Sequence, residues 1–140
     1  MKKLYILFIT VLCILTFSCI REASKYVEEV NIAMEHGDYQ KAYNIYDEMV
    51  ANNPYRGSMQ TEKEEEYDRA CNDLKEKIIK NELAETIEDS EGASNVAKIV
   101  YIIEEKGNND SQYYEYASKI ARAAGNTQLA EGLSEVVQGN

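Results

Sequence analysis

The sequence predicts an all-α protein, and three observations support this class. Apolar residues recur three and four positions apart along most of the chain, which is the period of one helical face. The sequence has no run that alternates between apolar and polar residues and is bounded by turns, as a strand would be. Pro54 is the only proline, and glycine or asparagine stands where most helices are expected to end. We therefore expect a stack of helical hairpins with about six helices.

The first two predicted helices cover residues from about 22 to 36 and from about 39 to 52. Gly37 can adopt the left-handed backbone that ends a helix, and Asp38 can cap the helix that follows. The second helix stops before Pro54, because the residue preceding a proline is pushed out of helical conformation. The two apolar stripes are Ala23, Tyr26, Val27, Val30, Ala33 and Met34, then Tyr39, Ala42, Tyr43, Tyr46, Met49 and Val50.

A long helical stretch is predicted from about residue 59 to residue 87. Thr61 and Glu64 have the spacing of a capping box at its start. Cys71 lies on the apolar stripe, so a buried structural thiol is the expected state. The stripe changes phase further along, and we expect a kink or a break near residues 80 to 81.

The remaining helices are shorter. Residues 94 to 106 are so rich in isoleucine and valine that they predict the central, most buried helix. A helix from about 111 to 124 follows, and Gly125 with Asn126 forms a tight turn before the last helix.

Three tyrosines near the start of the fifth helix, Tyr113, Tyr114 and Tyr116, point in different directions around a helix. They cannot all face inward if one face packs on the core, so one or two are expected to be exposed or at an interface. We expect Tyr114→Ala to cost less than about 1 kcal/mol, and Tyr46→Ala, in the predicted core, to cost about 3 kcal/mol or more.

The N-terminal residues carry the clearest signal in the chain. Lys2 and Lys3 precede an apolar run from Leu4 to Leu15, and Ser18 places a small residue before Cys19. This stretch resembles a bacterial lipoprotein signal peptide. The apolar run is shorter than the ~20 residues that span a bilayer. An ordinary signal peptide cut near Ser18 and an uncut anchor are the alternatives.

The resemblance implies that residues 1–18 are removed and that residues 19–140 form one domain. Cys19 would then be the lipid attachment site, carrying a thioether-linked diacylglycerol and usually a third acyl chain such as palmitate. Two or three chains make membrane attachment stable, whereas one chain alone is marginal. Ile20 follows Cys19 where some lipoproteins carry an inner-membrane retention aspartate, which favours lipid anchoring at the outer membrane of a bacterial cell envelope.

Charge limits the range of partners. The formal net charge is −10, and removal of Lys2 and Lys3 with the signal leaves −12. Such a charge disfavours nucleic acid and also disfavours adhesion of the protein surface to anionic lipid. The expected partners are the membrane, through the lipid on Cys19, and another envelope protein or a peptide.

The segment from Ala33 to Pro54 carries a second resemblance. Gly37, Asp38, Tyr39, Ala42, Tyr46, Met49 and Pro54 stand at the spacing of a tetratricopeptide repeat, with its helix turn, close-packing alanine, groove-filling aromatic and terminal proline. This segment resembles one such repeat, and residues 124–133 resemble its turn and second helix again. An unrelated antiparallel α-bundle with a similar turn is the alternative.

The repeat resemblance implies a function. Tetratricopeptide proteins act as scaffolds, and the inner face of each first helix contacts the partner. The positions of this sequence that correspond to that partner-binding face are Ser24, Val27, Asn31, Met34 and Glu35. We therefore expect a membrane-anchored helical-repeat module for protein–protein interaction, with a self-associating structural envelope protein as the alternative.

Catalytic, cofactor-binding and metal-ligating patterns are missing from the sequence. His36 is the only histidine, and its place at a helix C-terminus suits the helix dipole. The acidic run from Glu62 to Asp68 fits a solvated helix face. We expect no enzymatic activity, although an envelope hydrolase with paired carboxylates remains the less favoured alternative.

Overall fold

The structure, a computed structural model, describes residues 22–138, and it is all-α over that range. Six helices follow one another there: α1 (Ala23–Glu35), α2 (Tyr39–Ala51), α3 (Thr61–Glu88), α4 (Val96–Glu105), α5 (Ser111–Ala123) and α6 (Thr127–Gln138). The predicted fold class, an all-α stack of helical hairpins, is confirmed. The predicted signal peptide and Cys19 lie outside the described residues.

Consecutive helices run in opposite directions. Asn52, which follows α2, donates a hydrogen bond to the hydroxyl of Tyr26 near the start of α1 at 3.4 Å. The Tyr39 hydroxyl at the start of α2 reaches Glu85 near the end of α3. The Tyr67 hydroxyl near the start of α3 reaches the carbonyl of Met49 near the end of α2. Each pair of partners places the end of one helix beside the start of its neighbour.

The odd-numbered helices therefore run in the same direction. The start of α1 shares a groove with the start of α3, since Ser24 and Tyr67 both line it. The start of α5 lies beside Glu76 in the middle of α3. The amide of Asn126, just after α5, donates to the carbonyl of Gly92, just after α3, at 2.9 Å. The chain is a stack of three hairpins whose first helices lie parallel.

The long helix α3 forms the centre of the stack, because it contacts α1, α2, α4 and α5. The prediction that residues 94–106 form the central helix is wrong. In α4, Ile99, Ile102 and Ile103 are buried, but the Tyr101 side chain is 60 % exposed. A helix of 28 residues spans two hairpins, which a helix of 10 residues cannot do.

The predicted break near residues 80 to 81 is also wrong, since α3 is one continuous helix. Ile78 and Ile79 are both fully buried although they are adjacent in sequence. Adjacent side chains point about 100° apart on a helix, so they can be buried together only where neighbours cover two sides. This part of α3 contacts α2 through Glu82 and Glu85 and contacts α5 through Lys80, so neighbours cover two sides of the helix and the apolar stripe changes phase.

The same reasoning corrects the expectation for the tyrosines of α5, where Tyr113 and Tyr114 are both buried and Tyr116 is half-buried. The Tyr113 ring lies over Gly107, where an added Cβ would come within 2.6 Å of its Cδ2 atom. The Tyr114 ring lies beside α6, and its hydroxyl donates to Asn109 Oδ1 at 3.2 Å. Because α5 lies between α3 and α6, it buries side chains on two sides.

One predicted helix terminus is confirmed and another is not. Gly37 has φ +68°, and Asp38 caps α2 by accepting a hydrogen bond from the Lys41 amide at 3.0 Å, as predicted. The capping box at the start of α3 is not formed, because Glu64 accepts a hydrogen bond from the Gly57 amide instead. That contact ties the preceding loop to α3 rather than closing the helix terminus.

Candidate functional site

The first helices of the three hairpins present one exposed surface, which we call the odd-helix face. It consists of side chains of α1, α3 and α5 that contact another of these three helices. It also includes side chains on the same helical stripe as those contacts. They are Ser24, Val27, Asn31, Met34 and Glu35 of α1, Lys77 and Lys80 of α3, and Tyr116 of α5.

A polar bridge joins α1 to α3 on this face. The Lys77 ammonium donates a hydrogen bond to Asn31 Oδ1 at 2.7 Å, across 46 residues of sequence. Lys77 is exposed and Asn31 is half-buried, so the bridge lies at the surface. The Asn31 amide nitrogen is a further donor that can serve a bound partner.

A second bridge joins α3 to α5. The Lys80 ammonium lies 5.3 Å from the centroid of the Tyr116 ring, within the range of a cation–π contact. Its hydrogen bond to the Glu76 carboxylate on the same helix raises the pKa of Lys80. Lys80 therefore stays charged at neutral pH, and its side chain is 36 % exposed.

The five residues predicted to bind a partner lie along α1 in different environments. Ser24 and Glu35 are exposed, at the two ends of the helix. Asn31 carries the bridge to Lys77. Val27 and Met34 are half-buried and pack against the core, so each combines a structural contact with a partly accessible side chain.

A groove opens beside Ser24, at the end of the stack where α1 and α3 begin. It has a volume of about 390 Å³, and its wall includes Pro54, Tyr55 and Tyr67. The Tyr55 and Tyr67 rings meet edge to face with centroids 6.2 Å apart. An aromatic floor of this kind suits an apolar side chain.

Residues 22–138 contain no set of three or more His, Cys, Asp or Glu side chains that could hold a metal ion. The Cys71 thiol is buried, and burial raises its pKa, which opposes formation of a nucleophilic thiolate. Within the same range, no helix is long and apolar enough to cross a membrane.

The Glu82 carboxylate has a pKa that differs from its ordinary value. Burial raises its pKa, although its hydrogen bond from the Tyr43 hydroxyl at 2.9 Å acts in the opposite direction. Lys106 lies over the Tyr43 ring at 4.7 Å. These groups join α2 to α3 and the end of α4, so their arrangement has a structural explanation.

Sequence reasoning did not identify Lys77, Lys80 or Tyr116 as members of a surface. The two lysines lie three positions apart on a polar stripe, and that spacing was the available signal. The sequence does not show that α1, α3 and α5 lie side by side. That placement brings residues 31, 77, 80 and 116 onto one face.

Comparison with known proteins found no matching protein-family model, no matching curated protein and no matching solved structure.

Proposed function

We propose that this protein is a lipid-anchored helical-repeat module that binds another envelope protein or a peptide through its odd-helix face. In this proposal Cys19 carries the lipid and anchors the protein at the outer membrane of a bacterial cell. The three hairpins act as a short tetratricopeptide-like scaffold without enzymatic activity.

One observation carries the proposal. The first helices of the three hairpins lie parallel and side by side, with Asn31 bridged to Lys77 and Lys80 bridged to Tyr116 across the two gaps. Scaffolds built from stacked helical hairpins use a shared surface of this kind to bind extended partners. Lys77 is exposed, and Asn31, Lys80 and Tyr116 are half-buried, so each side chain stays at least partly accessible to solvent.

The chemistry of the face suits a polypeptide. Lys77, Lys80 and Asn31 supply donors for carbonyl or carboxylate oxygens, and Val27 and Met34 add apolar area between them. Methionine adapts its shape to different apolar surfaces, so Met34 can accept several side chains. A carboxylate on the partner would be drawn to the two lysines in an otherwise acidic protein.

The test compares two pairs of substitutions in the full-length, membrane-located protein. Asn31→Ala with Glu35→Ala alters the odd-helix face, and we expect reduced recovery of the partner after chemical cross-linking and affinity purification. The pair should change the free energy of unfolding by no more than about 0.5 kcal/mol, because Glu35 is exposed and the Asn31–Lys77 bridge lies at the surface.

Gln40→Ala with Asn44→Ala is the matched control. These residues form a hydrogen-bonded polar pair at the surface of α2, outside the odd-helix face. We expect this pair to leave partner recovery as in the wild type. Equal recovery with all three proteins, with folding intact, would contradict the proposed face.

A groove at the free end of the stack favours self-association as the second candidate. It lies between α5 and α6, has a volume of about 430 Å³ and is lined by apolar Leu133 and Val137 together with the cations Lys119 and Arg122. The Val137 side chain is 43 % exposed. If copies bind there, Val137→Asp should convert an oligomer to a monomer in sedimentation velocity. A wild-type monomer would exclude this candidate.

A further inference from the structure

The loop between α2 and α3 presents a fully exposed methionine. Met59 is the most exposed of the large apolar side chains in residues 22–138. Exposure of a single apolar side chain is common, so Met59 alone indicates nothing. Met59 is informative because its loop lies beside the start of α1.

The loop that carries Met59 is held in a defined shape. The Arg56 guanidinium donates to the Val50 carbonyl at 2.7 Å, and the Gly57 amide donates to Glu64 at 3.2 Å. The Ser58 amide also donates to the Tyr55 carbonyl at 2.9 Å. These contacts fix the loop to both α2 and α3, so Met59 projects from an anchored support.

This loop lies at the same end of the molecule as the start of α1. Glu22 and Ser24 line one groove together with Tyr55 and Lys63, which flank Met59 in sequence. Glu22 is three positions after Cys19, and an extended chain spans at most about 3.5 Å per residue. A lipid on Cys19 therefore holds Glu22 within about 11 Å of the attachment point.

We propose that the α2–α3 loop rests on the bilayer beside the lipid anchor, with the Met59 side chain entering the boundary between headgroups and acyl chains. This inference rests on the proposed lipid anchoring at Cys19. The short tether leaves this end of the stack facing the membrane, and the odd-helix face extends outward from it.

The chemistry of this end selects the type of lipid surface. Tyr55 has an amphipathic ring suited to the interface, and Lys63 can place its methylene stem there while its ammonium stays hydrated. Glu62, Glu65 and Glu66 are also exposed at this end. Their charges would be repelled by anionic headgroups, so the partner surface is a zwitterionic bilayer.

The absence of tryptophan from the sequence allows a direct test. Met59→Trp introduces one fluorescent reporter at the loop, and Tyr101→Trp introduces one at an exposed position on α4, which follows the end of α3. Each full-length, lipid-modified protein is reconstituted into phosphatidylcholine vesicles. Tryptophan emission is then measured with and without brominated acyl chains.

We expect the emission of the Met59→Trp protein to shift to shorter wavelength on reconstitution and to be quenched by the brominated lipid. The Tyr101→Trp protein should show neither change. Vesicles with added anionic lipid should reduce the shift at low salt, because of the acidic side chains beside the loop.

Two outcomes overturn the inference and are distinguishable. If the Met59→Trp protein floats with the vesicles but behaves like the Tyr101→Trp protein, the loop does not meet the bilayer, while lipid anchoring stands. If mass spectrometry finds no lipid on Cys19 and the protein does not float, lipid anchoring fails, and the inference fails with it.

Discussion

The interface between α2 and α3 is joined by tyrosine hydroxyls, whereas α5 and α6 meet through small and branched apolar side chains. Tyr39 and Tyr43 donate to Glu85 and Glu82, at 2.6 Å and 2.9 Å, and Tyr67 donates to a backbone carbonyl of α2. In the last hairpin, Ala117, Ala121, Leu129, Ala130 and Leu133 are fully buried.

The α2–α3 and α5–α6 interfaces therefore fix their geometry through different interactions. The hydroxyl–carboxylate pairs set the register of α2 on α3, and the strength of the Tyr43–Glu82 pair depends on the ionisation of Glu82. The alanines let α5 and α6 approach closely, so that interface depends on side-chain volume. We therefore expect the first interface to respond to pH and to loss of a hydroxyl, and the second to respond to added volume.

The largest expected effect tests the correction for Tyr114 in the α5–α6 region. Tyr114→Ala removes a buried ring and should lower the free energy of unfolding by about 3 kcal/mol or more, as for other large-to-small changes in cores. Tyr46→Ala, at a half-buried position of α2, should cost less. Urea unfolding of both variants gives the order, and a larger loss at Tyr46 would mean that the burial of Tyr114 is wrong.

A volume change tests the close approach of α5 and α6. Ala121 is fully buried, so Ala121→Leu should destabilise the protein by about 1–3 kcal/mol through overpacking. Ala123→Leu, at an exposed position two residues further along α5, is the control and should be nearly neutral. Thermal unfolding measures both. Similar melting temperatures for the two variants would contradict the close approach.

Loss of a hydroxyl tests the α2–α3 interface. Tyr43→Phe removes the donor to the half-buried Glu82 carboxylate and should cost about 1.5 kcal/mol, typical of a hydrogen bond to a charged group. Tyr39→Phe breaks the equivalent bond to Glu85 at an exposed site and should cost less than about 1 kcal/mol. If Tyr39→Phe is the more damaging in denaturant titrations, burial does not distinguish the two pairs.

A smaller effect concerns pH. Burial raises the pKa of Glu82, so between its ordinary and raised values the folded state binds more protons than the unfolded state. Stability from this group is complete below the ordinary pKa and is lost as pH rises through the raised pKa. Glu82→Gln should therefore gain stability relative to wild type as pH rises through this window.

The control for the pH experiment is Glu88→Gln, at an exposed carboxylate of the same helix. We expect its unfolding curves to follow those of the wild type at each pH. A Glu82→Gln protein with the same pH dependence as wild type would show that Glu82 is not buried in its charged form.

The fold class could be predicted because local signals and tertiary packing agree in the first hairpin. Gly37 and Asp38 mark the turn, and α1 and α2 begin and end within one or two residues of the predicted bounds. The predictions failed where one helix packs against neighbours on two sides. There the adjacent Ile78 and Ile79, or Tyr113 and Tyr114, are buried together, and a single-face stripe cannot describe them.

The candidate site could be predicted only along α1. The repeat resemblance assigned Asn31 to the binding face, and the structure places Asn31 at the bridge to α3. Lys77, Lys80 and Tyr116 join that face through contacts that are 36 to 46 residues apart in sequence. A local sequence pattern cannot predict contacts between residues so far apart in sequence, because these contacts depend on how whole hairpins stack.

Site-specific photocross-linking in intact cells tests the central claim most directly. A photoreactive amino acid is placed at Glu35, at the end of α1 on the proposed binding side, or at Asn44 on the exposed surface of α2. We expect a discrete cross-linked product from position 35 in the membrane fraction and none from position 44. A product from position 44 alone would place the binding surface on the opposite layer of the stack and would contradict the proposed function of the odd-helix face.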